Sequence, residues 1–270
     1  MSSSRPTRLR LATRRDIERR LHEIFWLLRQ KYTGIFVEGE KLVNPWTLYS
    51  TQKYLESDKL GLVLRETLLN NYDPPIIVVR GRGGRKYVID GHHRARIALW
   101  LRENIRAYVL NIPLYKPQLE IPIYGLEFIH PVQHIGDPII SLWMHMVDVV
   151  RLFEKIHGAI AKITLREISI SELIITQPEI HVHKVNACLG EPILIYEYME
   201  KYYIVDGHTR ACIHYRLGNK TIRSIVFTLG KQIGLIKTAE SLGNRKISER
   251  TCIESIRGST YSSAGNELRQ

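Results

Sequence analysis

Two short runs hold the residues best suited to chemistry. Residues 86–98 read KYVIDGHHRARIA and residues 201–213 read KYYIVDGHTRACI. In each, an apolar strand-like run ends in Asp-Gly-His, a second polar residue and Arg, and a helical pattern follows. The two sets are Asp90, Gly91, His92, His93 and Arg94, and Asp206, Gly207, His208, Thr209 and Arg210. A strand-to-helix turn carrying Gly, His, Arg and free backbone N–H groups is suited to holding a phosphate. Core packing alone is not expected to demand Asp-Gly-His-x-Arg at two equivalent corners. The motif aspartates stand 116 residues apart, from 90 to 206, so each copy fits a domain of ordinary size.

The rest of the chain must position these turns. Ile17, Leu21, Ile24, Phe25 and Leu28 recur at helical spacing behind Thr13, which predicts a capped helix over 14–31. A strand-like segment at 35–39, the turn Asn44-Pro45 and a helical stretch over 48–64 come next. Pro74-Pro75 interrupts the chain before the apolar run Ile76–Val79, which pairs with 86–89 across Gly81–Gly84 as a hairpin. A helix over 94–101 and a strand over 107–112 close the first copy. The second copy repeats the order: helix 140–157, strand 161–166, helix over HVHKVNACLG (181–190), strands 192–198 and 202–205, motif, helix ending at Leu217 before Gly218, and strand 221–229. Helices attached to small mixed sheets make an α+β protein. The expected organisation is a basic disordered arm (1–12), a first domain (13–113), a Pro-rich linker (114–138) packed on the surface, a second domain (139–230), and a C-terminal helix with a polar tail (231–270).

With 44% hydrophobic and 24% charged residues among 270, the composition is that of a globular chain. Its apolar stretches are too short and interrupted for a transmembrane helix, and no membrane partner is expected. The N-terminus lacks the apolar core of a secretory signal; its Arg-rich start is a basic arm or, alternatively, an organellar transit peptide. Three cysteines, Cys188, Cys212 and Cys252, form no C-x-x-C. That argues against a disulfide scaffold or zinc ribbon and fits the reducing cytoplasm. The formal net charge of +12 favours polyanionic partners, either nucleotides or nucleic acid, unless it reflects only a basic background and a flexible arm.

The doubled motif, after an apolar strand and before a helix, resembles that of the ParB/sulfiredoxin superfamily, and within it most of all that of archaeal free serine kinases and related ParB-like domain proteins. The likeness covers residues 36–112 and 163–229. It implies two ParB/sulfiredoxin-like domains that bind nucleotide phosphates: ATP or ADP, with CTP as a further candidate, and Mg²⁺. It implies phosphate transfer from the nucleotide to a small hydroxyl compound such as free serine. Gly207, His208, Thr209 and Arg210, and in copy one Asp90, Gly91, His92, His93 and Arg94, would then contact phosphate. Asp206 and His208 join the catalytic set, with Asp206 a candidate Mg²⁺ ligand beside phosphate oxygens. The two histidines either bond phosphate or orient the motif aspartates. The serine kinases carry a Glu after a Pro near the start of the preceding helix. Pro178-Glu179 stands at about that place, so Glu179 either accepts the substrate proton or stabilises the helix start. Copy one offers Asn44-Pro45-Trp46-Thr47 there, with no acid, so copy two is the expected active site.

Other patterns carry less. Sulfiredoxin chemistry needs a Cys directly after the motif Gly, where His92 and His208 stand. His181 and His183 with Glu179 have a metal-like look, but their alternation on a short segment fits polar residues on a helix surface. Gly81-Arg-Gly-Gly84 lacks the Gly-Lys-Ser/Thr of a phosphate-binding loop. A nucleotide-gated DNA-binding or nuclease-like module is the alternative function, resting on the charge, the Arg5–Arg20 arm and the resemblance to ParB. Against it, residues 236–248 supply at most a fragment of a helix-turn-helix.

Overall fold

The computed structural model describes residues 10–130, 137–182, 188–248 and 251–254. The first part of the chain forms α1 (Arg14–Lys31), β1 (Phe36–Val43), β2 (Leu48–Ser50), β3 (Tyr54–Glu56), α2 (Ser57–Asn70), β4 (Ile76–Arg80), β5 (Lys86–Asp90), α3 (His92–Leu101) and β6 (Ile105–Asn111). Then come β7 (Ile121–Pro122), β8 (Glu127–Ile129) and α4 (Pro138–His157). The second part forms β9 (Lys162–Ser169), β10 (Leu173–Ile174), β11 (Ile180–Val182), β12 (Ile193–Tyr198), β13 (Lys201–Asp206), α5 (His208–Arg216), β14 (Thr221–Thr228), α6 (Gly234–Ser241) and β15 (Cys252–Glu254). The protein is α+β.

The duplication extends to sheet topology. One sheet has the order β1-β6-β4-β5-β2-β7 and the other, taken from its far edge, β9-β14-β12-β13-β10. Five strands therefore correspond one to one. The central hairpins β4/β5 and β12/β13 are both antiparallel, and β2/β5 and β10/β13 are both parallel. Leu48 pairs with Lys86 and Leu173 with Tyr202, each partner four residues before its motif aspartate. That register aligns Thr51-Gln52 with Thr176-Gln177.

Local rules explain the first sheet's packing. Strand β4 alternates: Ile77 and Val79 join Ile17 and Leu21 of α1 on one face, while Ile76 and Val78 join Ala95 and Ala98 of α3 on the other. Helix α1 starts on a reciprocal cap, in which the Thr13 side chain accepts from the Asp16 backbone N–H and Asp16 accepts from the Thr13 N–H at 2.9 Å.

Several expectations are corrected. Residues 48–64 are not one helix: two short strands come first, and α2 begins only at Ser57. The helix expected over 181–190 begins instead as a strand, since β11 pairs in parallel with β15; residues 183–187, including His183, lie outside the described residues. The Pro-rich linker is partly core, with Ile123 and Leu126 fully buried in the first sheet's cluster. Of the basic arm, 1–9 lies outside the described residues, and 10–12 lies against the protein: Tyr72 Oη donates to the Ala12 carbonyl at 2.9 Å. The chain divides into compact units of residues 1–165 with 225–231, and 166–224 with 232–270, rather than at 138/139. Helix α4 belongs to the first unit because it packs on α2, where a Cβ on Gly61 would stand 2.7 Å from the Trp143 carbonyl carbon. Cys212 and Cys252 are joined in a disulfide, with Cys188 free. The lack of C-x-x-C spacing was uninformative because the bridge closes a separation of 40 residues.

Candidate functional site

The two motifs build the same corner. Gly91 and Gly207 take φ of 93° and 95° between strand and helix. A Cβ at Gly91 would lie 2.4 Å from Ile76 Cγ2, and one at Gly207 2.5 Å from Ile193 Cγ2. Glycine is thus required twice over, by backbone conformation and by space. One helical turn after each aspartate, the arginine folds back onto it: Arg94 Nη2 donates to Asp90 Oδ2 and Arg210 Nη2 to Asp206 Oδ2, both at 2.8 Å. The other guanidinium nitrogen reaches the chain entering the hairpin. Arg94 Nη1 donates to the carbonyls of Pro74 (3.0 Å) and Pro75 (2.5 Å), and Arg210 Nη1 to that of Pro192 (2.7 Å). Burial pulls both guanidinium pKa values down, and the paired aspartate opposes it. Asp, Gly and Arg of the motif therefore have a folding reason at both corners, contrary to the expectation that core packing would not demand them.

The histidines after the glycines are also internal. Burial lowers both His92 and His208 from 6.5 to about 4, so both are neutral at pH 7. They differ in partners. His208 Nε2 lies 3.0 Å from Thr176 Oγ1 and 3.3 Å from the Thr176 nitrogen, whereas His92 Nε2 has no such side-chain partner and the His92 ring meets the Val88 backbone instead. Thr51, the counterpart of Thr176, keeps only the equivalent bond to the strand: Thr51 Oγ1 donates to the Val88 carbonyl, as Thr176 Oγ1 does to that of Ile204.

What remains for a ligand is the helix start and what surrounds it, and there the copies diverge. At copy one, Arg10, Leu11, Ala12, Lys59, Leu62, Val63, Tyr72 and motif residues Asp90, Gly91, His93 and Arg94 line a cleft of about 180 Å³. Glu56 sits at the N-terminal boundary of α2 with Oε2 3.2 Å from His93 Nε2 and Oε1 2.7 Å from Lys59 Nζ. The bond from His93, helped by Lys59, holds its carboxyl far below the usual carboxylate range against the opposing effect of burial. Arg20 Nε reaches Asp90 Oδ1 at 3.3 Å from α1. Four cations (Arg10, Arg20, Lys59 and Arg94) thus surround two carboxylates at the start of α3, whose first N–H groups have no intrahelical acceptor.

Copy one therefore does have an acid at the start of the preceding helix, contrary to expectation. Asn44-Pro45 is not the counterpart of Pro178-Glu179. By the register of β2 and β10 it matches Ser169-Ile170, while Glu179 matches Tyr54. Glu56 was missed because copy one carries a longer segment between its Thr-Gln pair and its hairpin. The one legible signal was its place before Ser57-Asp58, a helix-starting pair. Glu179 itself is exposed and stands directly before β11, not at a helix start. Thr209 occupies the place of His93 and is half-buried. Asp206 shares one oxygen with Arg210, and Asp90 has both oxygens facing arginines, so neither motif aspartate offers Mg²⁺ a whole carboxylate; a Mg²⁺ bound here would rest mainly on ligand phosphates. Among the described residues, no group of three or more His, Cys, Asp or Glu side chains is placed to hold a metal.

No family model matches the chain, and no curated protein matches it. A solved structure similar to part of it is protein Atu1540 from Agrobacterium tumefaciens, 18% identical over 41% of this chain and 47% of that one, with a TM-score of 0.22. The likeness thus spans about half the length of that protein, and at that TM-score it carries no argument about fold or function.

Proposed function

We propose that the motif-one corner binds the phosphates of a nucleotide, ATP or ADP with CTP as a related candidate, and transfers phosphate to a small hydroxyl compound such as free serine. The observation that carries this reading is the cleft at the start of α3, lined by Arg10, Lys59 and His93, with the Glu56 carboxylate held against the last two. Backbone N–H groups and cations would take the phosphate oxygens, and Mg²⁺, when bound with the nucleotide, would neutralise further phosphate charge. The acceptor hydroxyl oxygen would attack the terminal phosphorus, the bond to the departing nucleotide oxygen would break, and the hydroxyl proton would pass to Glu56. A carboxylate held so strongly ionised is a weak base. It would orient the hydroxyl and take its proton late, which suits a reaction catalysed mainly by positioning and electrostatics. Motif two would hold a phosphate without the matching acid.

Among the described residues no helix is long and apolar enough to cross a membrane. The Cys212–Cys252 bridge removes the support that unpaired cysteines would give to a cytoplasmic placement. The DNA-binding reading keeps one favourable observation: Arg14, Arg15, Arg19 and Arg20 are all exposed on α1.

The test is calorimetric titration of ATP, ADP and CTP with Mg²⁺, beside a turnover assay with serine. Lys59→Ala should weaken nucleotide binding by about tenfold or more, as a lost charge-assisted contact does. Glu56→Gln should leave affinity nearly unchanged and cut turnover by about 10²–10⁴-fold. Loss of turnover in Glu179→Gln with normal Glu56→Gln would move the activity to copy two. Failure of every nucleotide to bind would end the reading.

A further inference from the structure

The Cys212–Cys252 bridge lies outside the site described above, and its place in the second unit gives it a function of its own. Cys212 is on α5, one turn after the motif histidine and two residues beyond Arg210. Cys252 opens β15, the last described strand, and both cysteines are buried. Strand β15 is also held by its approach turn, where the Cys252 N–H donates to the Ser248 carbonyl at 3.0 Å. It pairs with the three residues of β11, its Cys252 carbonyl accepts from Arg216 Nη2 at 2.6 Å, and the Thr251 carbonyl before it accepts from the Ile180 N–H at 3.0 Å. A two-stranded ribbon of three residues a side is not stable alone. The covalent link to α5 adds to the contacts that hold this one against the motif-two helix.

Copy one solves the same problem differently. Cys212 corresponds to Arg96, six residues after each motif aspartate. Arg96 is fully buried and donates to Glu154 Oε2 of α4 at 2.5 Å, while Trp100 Nε1 donates to the other oxygen at 2.7 Å. Each motif helix is thus tied, from the same position, to an element that follows its own copy. The tie is ionic in copy one and covalent in copy two. Only the second responds to a reductant.

We propose that the Cys212–Cys252 bridge is a redox-operated strap on the motif-two corner. A dithiol reduces it: the S–S bond takes two electrons and two protons to give two thiols, and the dithiol closes to its own disulfide. Release of β15 then frees β11 and loosens α5, while α3 stays held by Glu154. Because both sulfurs are buried, reduction waits on local opening of this ribbon. The proposal is independent of what either corner binds.

The experiment uses the full chain with and without dithiothreitol. Alkylation of the denatured, unreduced protein should modify one cysteine, Cys188, and reduction should raise this to three. Hydrogen exchange followed by mass spectrometry should then show peptides over 180–182, 208–216 and 252–254 exchanging on the order of tenfold faster or more after reduction, with 92–101 unchanged. Three reactive thiols before reduction would overturn the proposal. So would unchanged exchange after complete reduction, or equal acceleration in 92–101, which would make the bridge a general support of the fold.

Discussion

Motif one and motif two build the same corner on matching sheets, yet what faces the start of their helices differs. Both have the left-handed glycine against an isoleucine, the arginine folded onto aspartate and proline carbonyls, and the buried neutral histidine. At motif one, α2 brings Glu56 and Lys59 to the helix start and the N-terminal segment brings Arg10. At motif two the corresponding segment is the strand β11, covered by β15 and clipped by a disulfide. The comparison teaches that the repeated residues specify the corner and the unrepeated ones equip it. The resemblance to the serine kinases pointed to copy two, where Glu179 follows Pro178; the function proposed above uses copy one, where Glu56 and Lys59 stand beside the helix start. A similar exchange occurs away from the corners. Arg80 on β4 pairs with Glu38 of β1, while at the matching position of β12 Glu197 pairs with Arg166 of β9, with the charges reversed.

The largest effect should come from the glycines, and it tests the sameness of the corners. Gly91→Ala and Gly207→Ala should each cost about 2–5 kcal/mol in urea unfolding, from a forced left-handed alanine and a Cβ overlapping an isoleucine. A cost at one corner and tolerance at the other would show that the corners are not equivalent.

Acid comes next. His92 and His208 hold protons only below about pH 4 when folded, whereas an unfolded histidine takes one up near 6.5. Between those values the unfolded chain binds more protons. The stability contributed is full above pH 6.5 and is lost as pH falls towards 4, by up to about 3 kcal/mol for each histidine. Urea midpoints measured from pH 7 to 4 in the parent and in a His92→Gln, His208→Gln double variant would check this; an equal slope in both proteins would reject it.

The smallest effect sharpens the difference between the histidines. Thr176→Val removes a bond to Ile204 and a contact with His208, while Thr51→Val removes only the bond to Val88. Thr176→Val should be the more costly by about 1 kcal/mol, the worth of one further hydrogen bond. Equal costs would mean that the Thr176–His208 contact contributes nothing.

The elements legible in the sequence are those with local causes. The capped helix from Arg14, the hairpin across Gly81–Gly84, both strand-motif-helix corners and the α+β class follow from period, turn residues and capping, each of which acts within a few positions. The division of labour inside the motif was not legible, because Arg94 is explained by carbonyls 19 and 20 residues back along the chain. Nor was the exchange of α2 for β11, since a three-residue strand exists only through its pairing with a segment some 70 residues later. The sequence by itself determined that one corner is built twice. Tertiary structure decided which corner has an acid and cations facing its helix start and which has a disulfide behind it. Those partners lie 37 and 40 residues apart, from Glu56 to His93 and from Cys212 to Cys252, and no periodicity or spacing reaches that far.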